Sequence, residues 1–158
     1  MKNKYKKTLT LCVIHEHPRV LLGMKKRGFG EGKWNGFGGK VEEGEDIEEA
    51  MHREMREEMG TSVKNLEKRA IIEFETEGEP EIQRVHVFHG DTLENEPAES
   101  EEMRPQWFHI DEIPFEDMWP DDAHWFPMFF AGKNFEAKFL FDKDENIIDM
   151  DIKETNEI

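Results

Sequence analysis

Residues 39–61 read GKVEEGEDIEEAMHREMREEMGT, and no other segment limits the chain as tightly. Arg53, Glu54, Glu57 and Glu58 fall within six positions of one another. On an α-helix, residues three and four apart share a face, so Glu54, Glu57 and Glu58 are expected to project together. Carboxylates about 4 Å apart repel by ~4 kcal/mol per pair at an effective dielectric of about 20. Such a cluster is tolerated when it is fully wet or when it binds a cation. A hard divalent ion with oxygen ligands, Mg²⁺ or Mn²⁺, is the natural partner. A solvated acidic face is the plainer origin of a charge run like this one.

The helix carrying these residues is well marked. Asp46 with Glu49 forms a capping box, and Gly60 supplies a stop. Ile47, Ala50, Met51 and Met55 make a buried stripe, with the acidic trio off it. Upstream, Leu9, Leu11 and Val13 alternate with polar residues as a strand, and Arg19–Lys25 reads as its hairpin partner. Glycines at 28, 30, 32, 36, 38 and 39 mark a loop, or a strand interrupted where backbone must approach something closely. Residues 70–77 and 83–89 read as strands around the turn Gly78-Glu79-Pro80. Residues 91–103 form an acidic loop and 105–110 a short strand. Residues 122–131 form a short aromatic helix ending at Gly132, in which Pro127 disturbs the early hydrogen bonds. Two alternating segments, Phe135–Phe141 and Ile148–Ile152, close as a hairpin. Strands on both sides of the acidic helix predict an α/β fold, a mixed sheet packed between helices.

At 158 residues the chain can bury one sizeable core, so a single domain is expected. Its net charge of −16 disfavours a nucleic-acid polymer as partner. An anionic small molecule would need a metal or a local positive site. The lone Cys12 has no internal disulfide partner and reads as a packed thiol, which points to a reducing, intracellular setting. No stretch approaches the ~20 apolar residues of a membrane span. The opening residues MKNKYKK read as a solvated lead-in to a strand, with a weak targeting role left open. The seven histidines show no metal-binding spacing.

The spacing of Gly39, Glu45, Arg53-Glu54, Glu57-Glu58 and Gly60 resembles the Nudix box, the signature of Nudix hydrolases. Every fixed glycine, glutamate and arginine is present. Thr61 departs from it, standing where a bulky apolar residue belongs. The runs LLGMKKRGFG, WNGFGGKV, GEPE, VHVF, EMRP and MWPDD extend the resemblance over nearly the whole chain, toward the family members that act on oxidised purine nucleotides. The resemblance implies an α/β/α sandwich over residues 1–158, with the box at 39–61. It implies Mg²⁺-dependent hydrolysis of oxidised purine nucleoside triphosphates, of the 8-oxo-dGTP and 2-oxo-dATP type, to monophosphate and pyrophosphate. Mn²⁺ is a possible substitute. A cytoplasmic monomer is expected, with entry to the nucleus or mitochondrial matrix left open.

The same resemblance assigns residues. Glu54, Glu57, Glu58, Glu102 and the Gly38 carbonyl would hold the metal. The general base would be Glu58 or Glu102, and the sequence does not choose. Arg53 and Glu45 would form an ion pair bracing loop against helix, and Lys40 would meet a phosphate oxygen. Trp119, Pro120, Asp121 and Asp122 would form the base pocket, with Trp119 stacking on the purine. Two adjacent carboxyls do not both ionise easily, so Asp121 and Asp122 are expected to share a proton. Moving that proton would let one pocket accept both base types. Read by itself, the Asp pair is an ordinary helix cap. Thr10 and Lys25 would lie near the sugar, Asn35 at the purine edge, and Phe29 and Phe74 along the pocket wall. Phe37, Gly38 and Gly39 would run beneath the nucleotide. Gln83 stands where relatives carry methionine, which leaves the ranking of substrates open. Two other readings compete: a Nudix enzyme acting on ADP-ribose or dinucleoside polyphosphates, and a nucleotide sensor without turnover.

Overall fold

The computed structural model describes residues 3–158, so Met1 and Lys2 of the basic lead-in lie outside the described residues. Eight strands form one mixed sheet: β1 (Tyr5–Glu16), β2 (Arg19–Lys25), β3 (Trp34–Asn35), β4 (Leu66–Thr76), β5 (Glu81–Gly90), β6 (Met103–His109), β7 (Phe135–Phe141) and β8 (Ile147–Glu154). Their order is β3-β2-β1-β5-β4-β7-β8, with β6 on the other edge of β2. β1 pairs parallel with β5 and β4 with β7, while the remaining pairs are antiparallel.

The alternation of each strand sorts the core into two layers. Cys12 and Ile14 face helix α1 (Ile47–Met59), packing with Leu21, Phe37, Met51, Met55, Met59 and Phe88. Val13, Val20, Ile72, Val85, Val87, Phe135 and Phe139 face the other way. They meet Trp125, Phe126 and Phe129 of α2 (Asp122–Phe130). Helix, sheet and helix are thus stacked as the sequence predicts. Pro127 does not end α2. An interior proline costs a helix about 3 kcal/mol. Burying three aromatic side chains returns ~1.5–3 kcal/mol each, which outweighs it.

The opening for the site arises where β1 and β2 part. They pair only from Ile14↔Leu21 to Glu16↔Arg19. Beyond that point residues 34–40 enter between them, bridging Cys12 to Phe37 and Leu9 to Lys40. This close insertion explains the glycines. A Cβ on Gly38 would lie 2.0 Å from the Thr10 carbonyl oxygen, and one on Gly36 2.5 Å from that of Cys12.

Candidate active site

The α1 cap behaves as expected: Asp46 accepts the Glu49 N–H at 2.9 Å, and Gly60 ends the helix at φ 75°. One expectation is corrected. The acidic trio does not lie wholly off the buried stripe. Glu58 is 3% exposed and sits beside Met55 and Met59 on the packed face. Its Oε1 accepts the Gly38 N–H at 2.8 Å, so the helix grips the inserted segment through a buried carboxylate. Burial pushes the Glu58 carboxyl up to about 8, and the Gly38 N–H only partly offsets it. Glu54 and Glu102 raise it further, while Lys25 opposes them.

Glu54 is half-buried against Gly39, where a Cβ would come within 2.6 Å of the Glu54 carboxyl carbon. Burial raises the Glu54 carboxyl too, with Arg53 acting against that shift. Glu57 points outward, with a side chain 53% exposed.

Arg53 is the hub of this end. Its Nε and Nη2 reach both Glu45 oxygens at 2.7 and 3.0 Å. Nη2 also donates to the Lys40 carbonyl at 3.0 Å, and Nη1 lies 3.0 Å from Glu54 and 3.3 Å from Glu57. The loop–helix brace read from the sequence is therefore present, and hydrogen bonding to Arg53 holds the Glu45 carboxyl below its usual range. Among the described residues no three acidic, imidazole or thiol groups converge tightly enough to enclose an ion, and Arg53 lies between Glu54 and Glu57. By type the donors suit a hard divalent cation. The charges of Glu54 and Glu102 raise the Glu58 carboxyl, those of Glu57 and Glu102 raise the Glu54 carboxyl, and a cation would relieve that repulsion.

Three other residues fall on this side. Thr10 is buried, with its hydroxyl 3.3 Å from the Gly39 carbonyl, so it supports the glycine segment from below. Phe37 is wholly buried in the α1 layer, and its ring is core. Lys40 is exposed.

The aromatic end lies on the α2 side. Trp119 is half-covered, and the exposed Phe29 ring stacks on it at 5.1 Å between centroids and 28° between planes. Lys33 places its Nζ 5.0 Å from the Trp119 ring centre. Gly28, Gly30 and Gly32 take φ of 80°, 86° and 85°, which lets this loop drape over the indole. Pro120 is exposed beside it. Phe74 packs on Phe139 and Phe141 and faces Gln83 across the β4–β5 register. The Asn35 side-chain oxygen accepts the Gly36 N–H at 2.8 Å, the turn role open to it from sequence.

Asp121 and Asp122 are both buried, at 4% and 2% exposure. The helix-cap reading fails, because Asp121 at the start of α2 makes no side-chain cap bond. Its Oδ2 instead accepts the Trp125 indole N–H at 2.8 Å. The two carboxyls are close enough for the charge of Asp121 to act on Asp122. Burial pushes Asp121 up to about 6, and burial plus the Asp121 charge raises Asp122 well above the carboxylate range. Oδ2 of Asp122 is buried with no hydrogen-bond partner. Burial thus favours the protonated form of both carboxyls, with the Trp125 indole N–H opposing the shift at Asp121. Trp125 escaped the sequence reading, although its i+4 spacing from Asp121 was a visible signal.

The pattern of a Nudix domain matches residues 4–129. The chain belongs to the Nudix hydrolase family. Nudix hydrolases work with a divalent cation. Among known proteins, this Nudix chain is 52% identical over 147 residues to the oxidized purine nucleoside triphosphate hydrolase of Mus musculus, covering 93% of this chain and 94% of that one. It is 53% identical over 152 residues to the protein of the same name in Danio rerio, covering 96% and 97%. Its fold matches the crystal structure of the mutator MutT protein from Bacillus halodurans with a TM-score of 0.82. That match has 28% identity and covers 92% of this chain and 97% of that one. Among the described residues no helix is long and apolar enough to cross a membrane.

Proposed function

We propose that this chain hydrolyses oxidised purine nucleoside triphosphates to the monophosphate and pyrophosphate, with Mg²⁺ as its ion, and so clears damaged precursors from the nucleotide pool. One observation carries the substrate reading: a buried pair of adjacent carboxyls, Asp121 and Asp122, both raised by burial, adjoins a half-exposed indole, Trp119. A purine needs a stacking face and a polar edge reader, and a protonated carboxyl beside an ionised one donates and accepts at once. The names of the Mus musculus and Danio rerio relatives support the same reading. We treat residues 1–158 as one working unit, a cytoplasmic monomer.

In this reading Glu54, Glu57, Glu58, Glu102 and the Gly38 carbonyl hold the ion, which when bound neutralises phosphate charge and eases ionisation of water. Arg53 keeps the box loop and helix in register through Glu45 and the Lys40 carbonyl. Lys40 offers positive charge to the phosphates in an otherwise acidic chain, and Lys25 lies toward the sugar. Glu58 or Glu102 accepts the proton of the attacking water. Glu58 is held ready by Gly38, and Glu102 approaches from the acidic loop. Trp119 carries the base, and Asp121 and Asp122 read its edge. Phe29, Asn35 and Phe74 complete the pocket, with Thr10 supporting Gly38 and Gly39. Pyrophosphate release from a nucleotide panel tests this: preference for ADP-ribose or dinucleoside polyphosphates would transfer the chain to another substrate class.

A further inference from the structure

The acidic loop, residues 91–102, is fastened to the end of α1. A helix C-terminus leaves its last carbonyls without intrahelical partners, and here the loop supplies donors. Ala98 N–H donates to the Met59 carbonyl at 2.8 Å, and Glu94 N–H to the Ser62 carbonyl at 2.8 Å. Asn95 N–H donates to the buried Thr61 hydroxyl at 3.1 Å, so the residue that departs from the box pattern serves as a loop anchor.

Ser100 makes a different kind of link. Its Oγ donates to the Glu58 carbonyl at 2.6 Å. The same oxygen accepts the N–H of Glu102 at 3.2 Å and that of Met103 at 3.1 Å. A hydroxyl has one donor and two acceptor sites, so all three are in use. One side chain therefore joins the backbone of a box carboxylate to the backbone of Glu102. The Glu102 carbonyl is held on its other side by the Lys26 N–H at 2.8 Å. The Glu102 carboxylate itself is partly exposed, 3.9 Å from Arg27 Nη2, and its charge reaches Glu54 and Glu58.

We propose that Ser100 is a positioning residue for Glu102: its hydroxyl ties the Glu102 backbone to the Glu58 carbonyl and so fixes where the Glu102 side chain leaves the loop beside the box helix, so that Glu102 serves cation binding and turnover only while that span is intact. The inference rests on the role proposed above for Glu102.

The test compares Ser100→Ala, Ser100→Thr, Glu102→Gln and the Ser100→Ala/Glu102→Gln double variant. Mn²⁺ binding to the protein without nucleotide is followed by the electron paramagnetic resonance of free Mn²⁺, alongside kcat, KM and thermal melting. Ser100→Ala is expected to weaken Mn²⁺ binding and lower kcat by roughly tenfold, as loss of a supporting partner around a metal site does, with KM little changed. Ser100→Thr keeps the hydroxyl and should recover both. The double variant should be no worse than Glu102→Gln alone. Should Ser100→Ala fail to fold, Ser100→Cys keeps the size while weakening the bonds and is expected to show the same losses. A Ser100 variant that melts lower but retains wild-type Mn²⁺ affinity and kcat overturns the inference. So do losses that add in the double variant. If Glu102→Gln itself binds Mn²⁺ and turns over as wild type, the role of Glu102 falls and this inference with it. A defective Glu102→Gln beside an unaffected Ser100→Ala refutes Ser100 alone.

Discussion

The buried carboxylate of Glu58 accepts the Gly38 N–H at 2.8 Å, and through that bond the box helix holds the glycine segment wedged between β1 and β2. A carboxyl that is 3% exposed and pushed up to about 8 resists ionisation unless positive charge arrives. The same group is thus structural at rest and electrostatically primed for a cation.

Replacement of Arg53 should weaken fold and activity together. Arg53→Ala leaves the half-buried Glu45 and Glu54 without their cation and releases the Lys40 carbonyl. Stability is expected to fall by about 1–3 kcal/mol in urea unfolding and kcat by at least roughly tenfold. Arg53→Lys should recover little of either, because one ammonium cannot reach four acceptor groups held by a planar fork.

Two neighbouring glycines should fail differently. An alanine at 38 drives its Cβ to 2.0 Å from a backbone oxygen, which cannot step aside. An alanine at 39 meets the Glu54 carboxyl at 2.6 Å, the mobile end of a side chain. Gly38→Ala is expected to lower stability by about 3 kcal/mol or more. Gly39→Ala should cost about 1 kcal/mol while turnover drops, because Glu54 is displaced. Thermal melts set beside kcat distinguish the two.

Asp122→Asn tests proton sharing between Asp121 and Asp122 through pH. Both carboxyls bind protons more tightly folded than unfolded, Asp121 up to about 6 and Asp122 higher. The stability they contribute is complete below the unfolded carboxylate range and is lost as pH rises through their folded values. Above about pH 4 the folded chain holds more protons, so this contribution declines with pH. Asn at 122 removes the need to ionise beside Asp121 and can still donate to it. The variant should melt close to wild type at pH 5 and be more stable by about 1–3 kcal/mol at pH 8.5. Its kcat/KM should fall roughly tenfold or more for one of 8-oxo-dGTP and 2-oxo-dATP relative to the other. Equal retention on both bases contradicts the base-reading role.

Much of this was legible in the sequence. The Asp46 cap, the Gly60 stop and the alternation of Phe135–Phe141 follow from local spacing, while the Arg53–Glu45 pair was implied by the Nudix resemblance. Burial of Glu58 was overlooked because of its charge: at seven residues from Met51 it falls within about 20° of that residue, inside the apolar stripe. Its partner Gly38 arrives from a distant segment, which spacing does not show. The Asp121-Asp122 pair looked like a cap because its true partner, Trp125, also serves as core. Ser100 was invisible for the same reason: its three bonds run to groups whose proximity the fold alone creates.

Steady-state release of pyrophosphate from 8-oxo-dGTP, 2-oxo-dATP, dGTP and dATP, with and without Mg²⁺, bears most directly on the central claim when run beside Glu58→Gln. The account predicts faster turnover of the two oxidised nucleotides than of dGTP and dATP, no turnover without a divalent ion, and a loss of roughly 10²-fold or more in Glu58→Gln with the fold intact. Undiminished turnover in Glu58→Gln, or no pyrophosphate from either oxidised nucleotide in excess Mg²⁺, would contradict it.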